Sequence, residues 1–425
     1  MRVKLNYLNI KCITLLLSLF TLQLLPAQTT SPEFDYLLKH GLPQYKFIFD
    51  NKQKYRLQII YIRINRDKVN KPHFTQYDFN NDPDLYYYCA STVKLPASIL
   101  ALEKIKALNI KGLTRNSPML TDSAFYCEHR IIKDTSSENH LPSIEQYIKR
   151  MLLVSDNYAF SRVYEFITCD YLHARLAEKG FPSMRIVNKL DGACPGDTSK
   201  IAPPICFLDK PGGDTVYRQP LITHAKFNLP VPIPNAKVGK EHHNDLDKKV
   251  SGPKDFSRHN YISLQNQTDI LKNLVFLPSI ESPWKIDNND RQFLLKQMGM
   301  YPRESLWPRY DPKQYYDSWK KYFLYGSGVP KITNDSVRIF NIVGLAYGFL
   351  TDCAYIVDIK NNVEFILAAT IYVNESDDVG SGNYQFHKTG QPFLRDLGNF
   401  IYQTEKKRKK EFLPDLSEFN FYKQN

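Results

Sequence analysis

The 425-residue chain has no polar low-complexity tract, no internal repeat and no Cys-x-x-Cys element. The first absence excludes a disordered tether: with 43% hydrophobic and 24% charged residues, the chain has ample material for a sizeable core. The second leaves no repeat architecture to consider. The third leaves no zinc-type cysteine spacing, and the adjacent His242-His243 sits in a polar stretch without a third ligand at useful spacing, so it reads as a solvated pair. No metal and no cofactor are expected. Any motif of nucleic-acid recognition is also missing, so the net charge of +12 is not read as a nucleic-acid footprint.

Long apolar runs are scarce as well. One runs from Ile13 to Leu25, too short and too closely followed by Gln28-Thr29-Thr30-Ser31 for a membrane span. With the basic start Met1-Arg2-Val3-Lys4 and the small residue in Leu25-Pro26-Ala27, it reads as a secretory signal cleaved near Ala27. No cysteine follows the run, which argues against a lipid anchor. The expectation is an exported protein, periplasmic or extracellular, of residues 28–425. Loss of Arg2, Lys4 and Lys11, with no acid lost, takes the net charge from +12 to +9. Such a charge favours anionic cell-wall polymers, although the run Lys406-Lys407-Arg408-Lys409-Lys410 reads as a solvated face after a terminal helix. Six cysteines remain, Cys89, Cys127, Cys169, Cys194, Cys206 and Cys353; six allow 15 connectivities, and the sequence leaves the pairing open.

Residues Tyr45–Phe49 and Tyr55–Ile64 are rich in β-branched and aromatic side chains around the turn-forming Asp50-Asn51-Lys52-Gln53, which predicts a hairpin. Leu95, Ile99, Leu102, Ile105 and Leu108 recur at helical steps, with Gly112 as the stop. Further helices are predicted over 144–153, 158–167 and 172–179, making a helical subdomain of about 95–200. The stretch 203–330 is crowded with Pro, Asn, Asp, Lys and Trp and reads as a long insertion, with short helices at 265–275 and 290–298. Strands return at 337–341, 345–350, 354–358 and 364–373, with Asn361-Asn362 as a turn, and a helix closes the chain over 392–407. This order predicts an α+β fold in which N- and C-terminal strands share one antiparallel sheet.

Two short motifs carry chemistry. Ser91-Thr92-Val93-Lys94 opens the first helical stripe, and a Ser and a Lys three apart lie on one helix face, so the amine reaches the hydroxyl. The helix start also stabilises negative charge developing there. The spacing alone is weak. It recurs at Ser251-Lys254, Ser282-Lys285 and Ser318-Lys321, none of which opens a long amphipathic helix, and a plain helix cap is the ordinary reading of a lone Ser91. Sixty-four residues on comes Ser155-Asp156-Asn157, between two helical segments, whose ordinary reading is a capping turn.

Together, in this order and separation, the two motifs resemble the signature of the penicillin-binding protein and class A β-lactamase superfamily of serine hydrolases. The strand Phe340-Asn341-Ile342-Val343-Gly344-Leu345 is similar to that family's inner-edge strand, which carries Lys-Thr-Gly. Coverage is roughly 40–200 and 335–407, with the insertion unmatched. The resemblance implies that Ser91 is acylated by a β-lactam or a peptide-like carbonyl, with Lys94 taking its proton. It implies that Ser155 shuttles a proton to the leaving nitrogen and that Asn157 holds a substrate amide. It also implies an oxyanion hole from the backbone N–H groups of Ser91 and Leu345, beside Gly344.

Two departures temper these expectations. Ile342 stands at the family's lysine position and Val343 at its hydroxyl position, so a cation for a substrate carboxylate is missing. The literal Lys388-Thr389-Gly390 follows the last strand and reads as coincidence. No glutamate occupies 185–192, where the family's deacylating acid falls; Asp191 is the substitute, or simply a turn former before Gly192. An enzyme lacking that base acylates and then hydrolyses slowly. The rival reading is a catalytically weakened relative that binds cell-wall peptide or a protein partner through the insertion. Tyr86-Tyr87-Tyr88 reads as packing.

Overall fold

A five-stranded antiparallel sheet organises the chain. Its strands are β1 (Gln58–Arg66), β2 (Pro72–Phe79), β3 (Val337–Ala346), β4 (Phe349–Asp358) and β5 (Val363–Tyr372), in the order β3-β4-β5-β1-β2. The computed structural model describes residues 30–191, 198–224, 233–244 and 246–422. Strands from both ends of the chain thus share one sheet, as the α+β reading predicts. Period-two alternation divides β1 between two cores: Ile60, Ile62 and Ile64 join one, Ile59 and Tyr61 the other. β4 and β5 are buried along their whole length, which is why they read as nearly continuous apolar runs.

One face of the sheet is covered by α1 (Pro32–Gly41), α2 (Lys46–Asp50) and α9 (Gln391–Lys407), together with Tyr322, Phe323 and Leu324. The other core holds the helices α3 (Lys94–Leu108), α4 (Ile144–Val154), α5 (Asn157–Ile167) and α6 (Cys169–Glu178), with α7 (Leu264–Val275) and α8 (Asn288–Gly299). Each of α4, α5, α7 and α8 begins at a Ser or Asp whose side chain accepts from a backbone N–H three residues on, so the starts are set locally.

Two expectations are corrected. Tyr45–Phe49 is not a strand: helical spacing drives Tyr45, Ile48 and Phe49 into the core, with the Tyr45 and Phe49 rings 5.2 and 5.8 Å from Phe393 of α9. The partner of β1 is instead β2, an edge strand, where the missing N–H of Pro72 at its start costs little. Second, 345–350 is not one strand but the β3–β4 turn. Tyr347 and Gly348 have φ of 53° and 85°, and Ala346 pairs with Phe349 across them, the two-residue hairpin geometry that needs positive φ at both central positions. The stretch 203–330, read as a long insertion, packs into the core: α7 lies on β1, β4 and β5, and α8 on β3 and α4. Asn109, in the left-handed conformation, ends α3 ahead of Gly112.

The signal expected over residues 1–27 lies outside the described residues, and so does Cys194. Cys127 is disulfide-bonded, whereas Cys89, Cys206 and Cys353 are free thiols. Among the described residues no helix is long and apolar enough to cross a membrane.

Candidate active site

Ser91 stands in a single 3-10 turn, Ala90–Val93, that runs directly into α3. Ala90 has φ of 46°, a left-handed conformation that costs an alanine roughly 1–2 kcal/mol. Cost of this kind persists only where the surroundings enforce it. The enforcing neighbour is β3. A Cβ on Gly344 would lie 2.4 Å from the Cys89 carbonyl oxygen, so only glycine lets the strand come this close to the nucleophile's turn.

Ser155-Asp156-Asn157 is indeed a capping turn, and it is also half of the site. Ser155 closes α4 in the left-handed conformation at φ 64°, Asp156 caps α5 by accepting from Ala159 N at 2.9 Å, and Asn157 begins that helix. Arg150 fixes the turn from behind with contacts of 2.7 and 2.9 Å to Asp156. The reversal directs Ser155 and Asn157 at Lys94.

The Lys94 amine, fully buried, has four oxygen neighbours: Ser91 Oγ at 2.8 Å, Ser155 Oγ at 3.0 Å, Ser155 O at 2.7 Å and Asn157 Oδ1 at 2.7 Å. The carbonyl and amide oxygens can only accept, whereas the hydroxyls can also donate. A neutral amine fits this set, giving its two N–H to the obligate acceptors and its lone pair to a hydroxyl proton. Burial pushes the amine down to about 7, against a smaller opposing pull from Asp156. The structure therefore brings Ser91, Lys94, Ser155 and Asn157 into one hydrogen-bonded cluster, an arrangement in which a hydroxyl can serve as nucleophile and the amine beside it as base.

A cavity of about 350 Å³ opens on this cluster, within the size range of small-ligand sites. Ser91, Val154, Ser155 and Asn157 form its floor, and Val343 and Leu345 one side. Clefts of about 540 and 640 Å³ lie elsewhere, but neither has a serine beside an amine on its walls. Gly344 serves the approach of β3 to the turn, and Leu345, 41% exposed, borders the cavity.

Two predicted features lie away from the cavity. Ile342 is 1% exposed, packed in the core on the helical side, and does not line the cavity. Asp191 also does not line it: its carboxylate accepts from Ser161 Oγ and lies 3.8 Å from Arg162. It belongs to a buried charge cluster with Glu165 and Lys189, in which desolvation raises Glu165 to about 7. Asp191, expected as a substitute deacylating acid, is thus placed off the described cavity wall, beside Ser161 and Arg162. No acidic side chain lines the cavity among the described residues.

Sequence reasoning missed the remaining wall. Tyr316, Trp319, Lys320, Tyr322 and Ser327 come from the segment read as an insertion, and His387 and Gln391 from the approach to α9, with His387 Nδ1 2.8 Å from Gln391 Oε1. The signal available was Tyr315-Tyr316-Asp317-Ser318-Trp319-Lys320-Lys321, a cluster of aromatics and lysines holding one of only three tryptophans in the chain. Lys388-Thr389-Gly390 lies in the wide helical turn Phe386–Gly390 ahead of α9, not along a strand edge.

Comparison with known proteins adds a family. The sequence profile of the β-lactamase enzyme family matches residues 70–275, so the match continues through the stretch 203–275 that sequence reading left outside the resemblance. A search of curated proteins returns no match. Among solved structures, the chain is similar to a β-lactamase from Sphaerobacter thermophilus, at 11% identity and a TM-score of 0.45, covering 86% of this chain and 97% of that one. It is also similar to a mutant of PBP-A in an acyl-enzyme complex with penicillin G, at 12% identity and a TM-score of 0.46, covering 90% and 100%. A β-lactamase from Burkholderia ambifaria gives 12% identity and a TM-score of 0.45, covering 85% and 99%.

Proposed function

Because the match over residues 70–275 puts the chain in the β-lactamase and penicillin-binding-protein-like superfamily of serine hydrolases, we propose that it is an exported acyl-transferring enzyme working through a Ser91 acyl-enzyme. The substrate carbonyl is that of a β-lactam, amide or ester. The single observation that carries this reading is the buried Lys94 amine, 2.8 Å from Ser91 Oγ and 3.0 Å from Ser155 Oγ.

In the reaction, Ser91 Oγ attacks the carbonyl carbon while its proton passes to Lys94 Nζ. The developing oxyanion faces the backbone N–H groups of Ser91 and Leu345. Lys94 returns the proton through Ser155 to the leaving nitrogen or oxygen, and the carbonyl-to-leaving-group bond breaks. Asn157 spends its oxygen on Lys94, which leaves its amide N–H₂ for a carbonyl of the acyl side chain. Water must then cleave the ester. With no carboxylate on the described cavity wall, that water lacks a carboxylate base, and a long-lived acyl-enzyme is the expected outcome.

A second reading is favoured by Ile342, which brings no amine to the cavity: a relative that binds cell-wall peptide or a protein partner without turnover. Intact-mass spectrometry of the mature protein and of Ser91→Ala after brief exposure to a penicillin tests both. A wild-type adduct that Ser91→Ala lacks, or Ser91-dependent loss of the drug, supports the enzyme. Neither signal in wild type refutes β-lactam recognition and moves the binding protein forward. The same spectrum reads the mature N-terminus, and a mass that still includes residues 1–27 in exported material overturns the signal assignment.

A further inference from the structure

Lys320 enters the cavity from a segment whose placement is over-determined. Its neighbour Lys321 sends its amine into the core, donating to Met298 O at 2.6 Å, Ile339 O at 2.7 Å and Asn341 Oδ1 at 2.8 Å. Asn341, on β3, donates to Lys320 O at 2.8 Å and to Asp352 Oδ1 at 2.9 Å. Asp352, on β4, accepts from Tyr322 N and Phe323 N at 3.1 Å each. Lys320 N donates to Ser327 Oγ at 3.2 Å, and Trp319 Nε1 reaches Val154 O at 3.4 Å. Side chains of two sheet strands thus hold the backbone on both sides of Lys320, which has φ of 60°. Such anchoring presents a side chain rather than leaving it to wander.

What is presented is an amine with little to bind. Its hydrogen bond among the described residues is a 3.4 Å contact to Leu152 O, at the far limit for such a bond. Lys320 lines the same cavity as Ser91, Ser155 and Asn157, and among the described residues no aspartate or glutamate lines it. A cavity with an amine, hydroxyls and amides but no acid is electrostatically complementary to an anion. Tyr316 and Trp319, on the same wall, offer apolar and aromatic surface beside it.

We propose that Lys320 is the anion-binding residue of this site and that the substrate is an acyl donor carrying a carboxylate next to an apolar group. The cation that Ile342 fails to bring on the strand is supplied instead by the 316–327 segment. The charged groups around this amine are Lys94, Lys321 and Asp352, with His387 on the same cavity wall. Burial first, and the two lysines second, hold it well below the ordinary lysine value, so an arriving carboxylate brings a proton onto Lys320 and binding strengthens as pH falls.

The proposal rests on the Ser91 reading only for the direction in which substrate lies. It is tested by protection of Ser91 from an uncharged fluorophosphonate, using phenylacetate and its neutral counterpart phenylacetamide in wild type, Lys320→Gln and Lys320→Arg. Expected is protection by phenylacetate at least tenfold stronger than by phenylacetamide, lost in Lys320→Gln and kept in Lys320→Arg, with thermal midpoints close to wild type. Equal protection by the two compounds in wild type, or a preference for the anion that survives in Lys320→Gln, overturns it. Failure of the fluorophosphonate to label wild type is a failure of the Ser91 reading instead. Calorimetric titration of phenylacetate against the same three proteins then decides Lys320, and binding that is absent, or equal in wild type and Lys320→Gln, overturns the assignment.

Discussion

Lys94→Met separates the chemistry of the site from its geometry, because methionine fills a similar volume without the amine. At the ordinary lysine value of 10.5, roughly one amine in three thousand would be neutral at pH 7; at about 7, half are. Burial therefore raises the supply of free base about a thousandfold at neutral pH. Labelling of Ser91 by an uncharged fluorophosphonate should accordingly rise with pH along a single curve with its midpoint near 7. The rate at pH 5 should be about one hundredth of the plateau, since only that fraction of Lys94 is then neutral. Lys94→Met should lower the plateau by about 10²–10⁴-fold, the usual worth of a positioned base, and flatten the curve. Asp352 and Lys321 are also brought to about 7 by burial, so the flattening in Lys94→Met is the control that assigns the midpoint. A wild-type midpoint above 9, or a curve unchanged in Lys94→Met, refutes the reasoning.

The same depression has a consequence for stability, with the opposite sign for the protein. An amine at 10.5 in the unfolded chain and about 7 in the folded one binds its proton more tightly when unfolded. Its contribution is neutral above 10.5 and grows unfavourable as pH falls toward 7, reaching on the order of 5 kcal/mol before any offset from lost hydrogen bonds. Lys94→Met should therefore raise the urea midpoint at pH 7 while abolishing labelling, and the gain should shrink as pH rises toward 10. A midpoint that falls would show that the four oxygen contacts outweigh desolvation.

Other predictions follow from particular contacts. Gly344→Ala brings a Cβ to 2.4 Å from Cys89 O; relief of about 1 Å at the nucleophile's turn should slow Ser91 labelling about a hundredfold, and an unchanged rate would mean the turn is not set by β3. Ile342→Lys puts an amine into a packed core and should lower stability by several kcal/mol without raising turnover, read by urea titration beside penicillin hydrolysis. Asp191→Asn should leave the lifetime of any penicillin adduct within about twofold, because that carboxylate is held by Ser161 and Arg162, and a lifetime change near the 10²-fold worth of a catalytic base would restore it as one. Asp352→Ala strips acceptors from Tyr322 N, Phe323 N and Asn341 Nδ2. It should cost about 3 kcal/mol and speed amide hydrogen exchange across 316–327, whereas unchanged exchange would show that the segment is held by other contacts.

The helices were legible because their signals are local. The caps Ser143, Asp156, Ser263 and Asp287 and the helical spacing from Leu95 to Leu108 are read within a few turns, although α3 is buried on every side from Lys94 to Lys104 rather than along one stripe. The motif residues were legible for the same reason, since Ser91 reaches Lys94 across one helical turn and Ser155-Asp156-Asn157 folds on itself. What could not be read was decided by partners distant in sequence. Whether Tyr45–Phe49 extends or coils depends on Phe393, and whether 203–330 is appendage or core depends on the face of β1, β4 and β5 that α7 covers. Asp191 looked available because Ser161 and Arg162, which engage it, lie thirty residues away. Lys320 was invisible because its role depends on Asn341 and Asp352, whose own side chains look like misplaced polar residues inside apolar strands until the segment they hold is seen.

Those misplaced residues suggest a rule for reading such chains. Three strained backbone positions stand on or beside the cavity, alanine at φ 46° before Ser91, serine at φ 64° facing Lys94 and lysine at φ 60° on the 316–327 segment, and buried amines occur at Lys94 and Lys321. Each is unfavourable alone, and each persists because contacts from another element forbid the relaxed alternative. An acyl-transfer site needs a base that is neutral at pH 7, a hydroxyl aimed at it and an amine free to take up a proton when an anion arrives. The lost strand lysine at Ile342 is better understood in this light as relocation than as decay. The network around Asn341 and Asp352 still anchors the segment that carries Lys320, along with the core residues Tyr322 and Phe323.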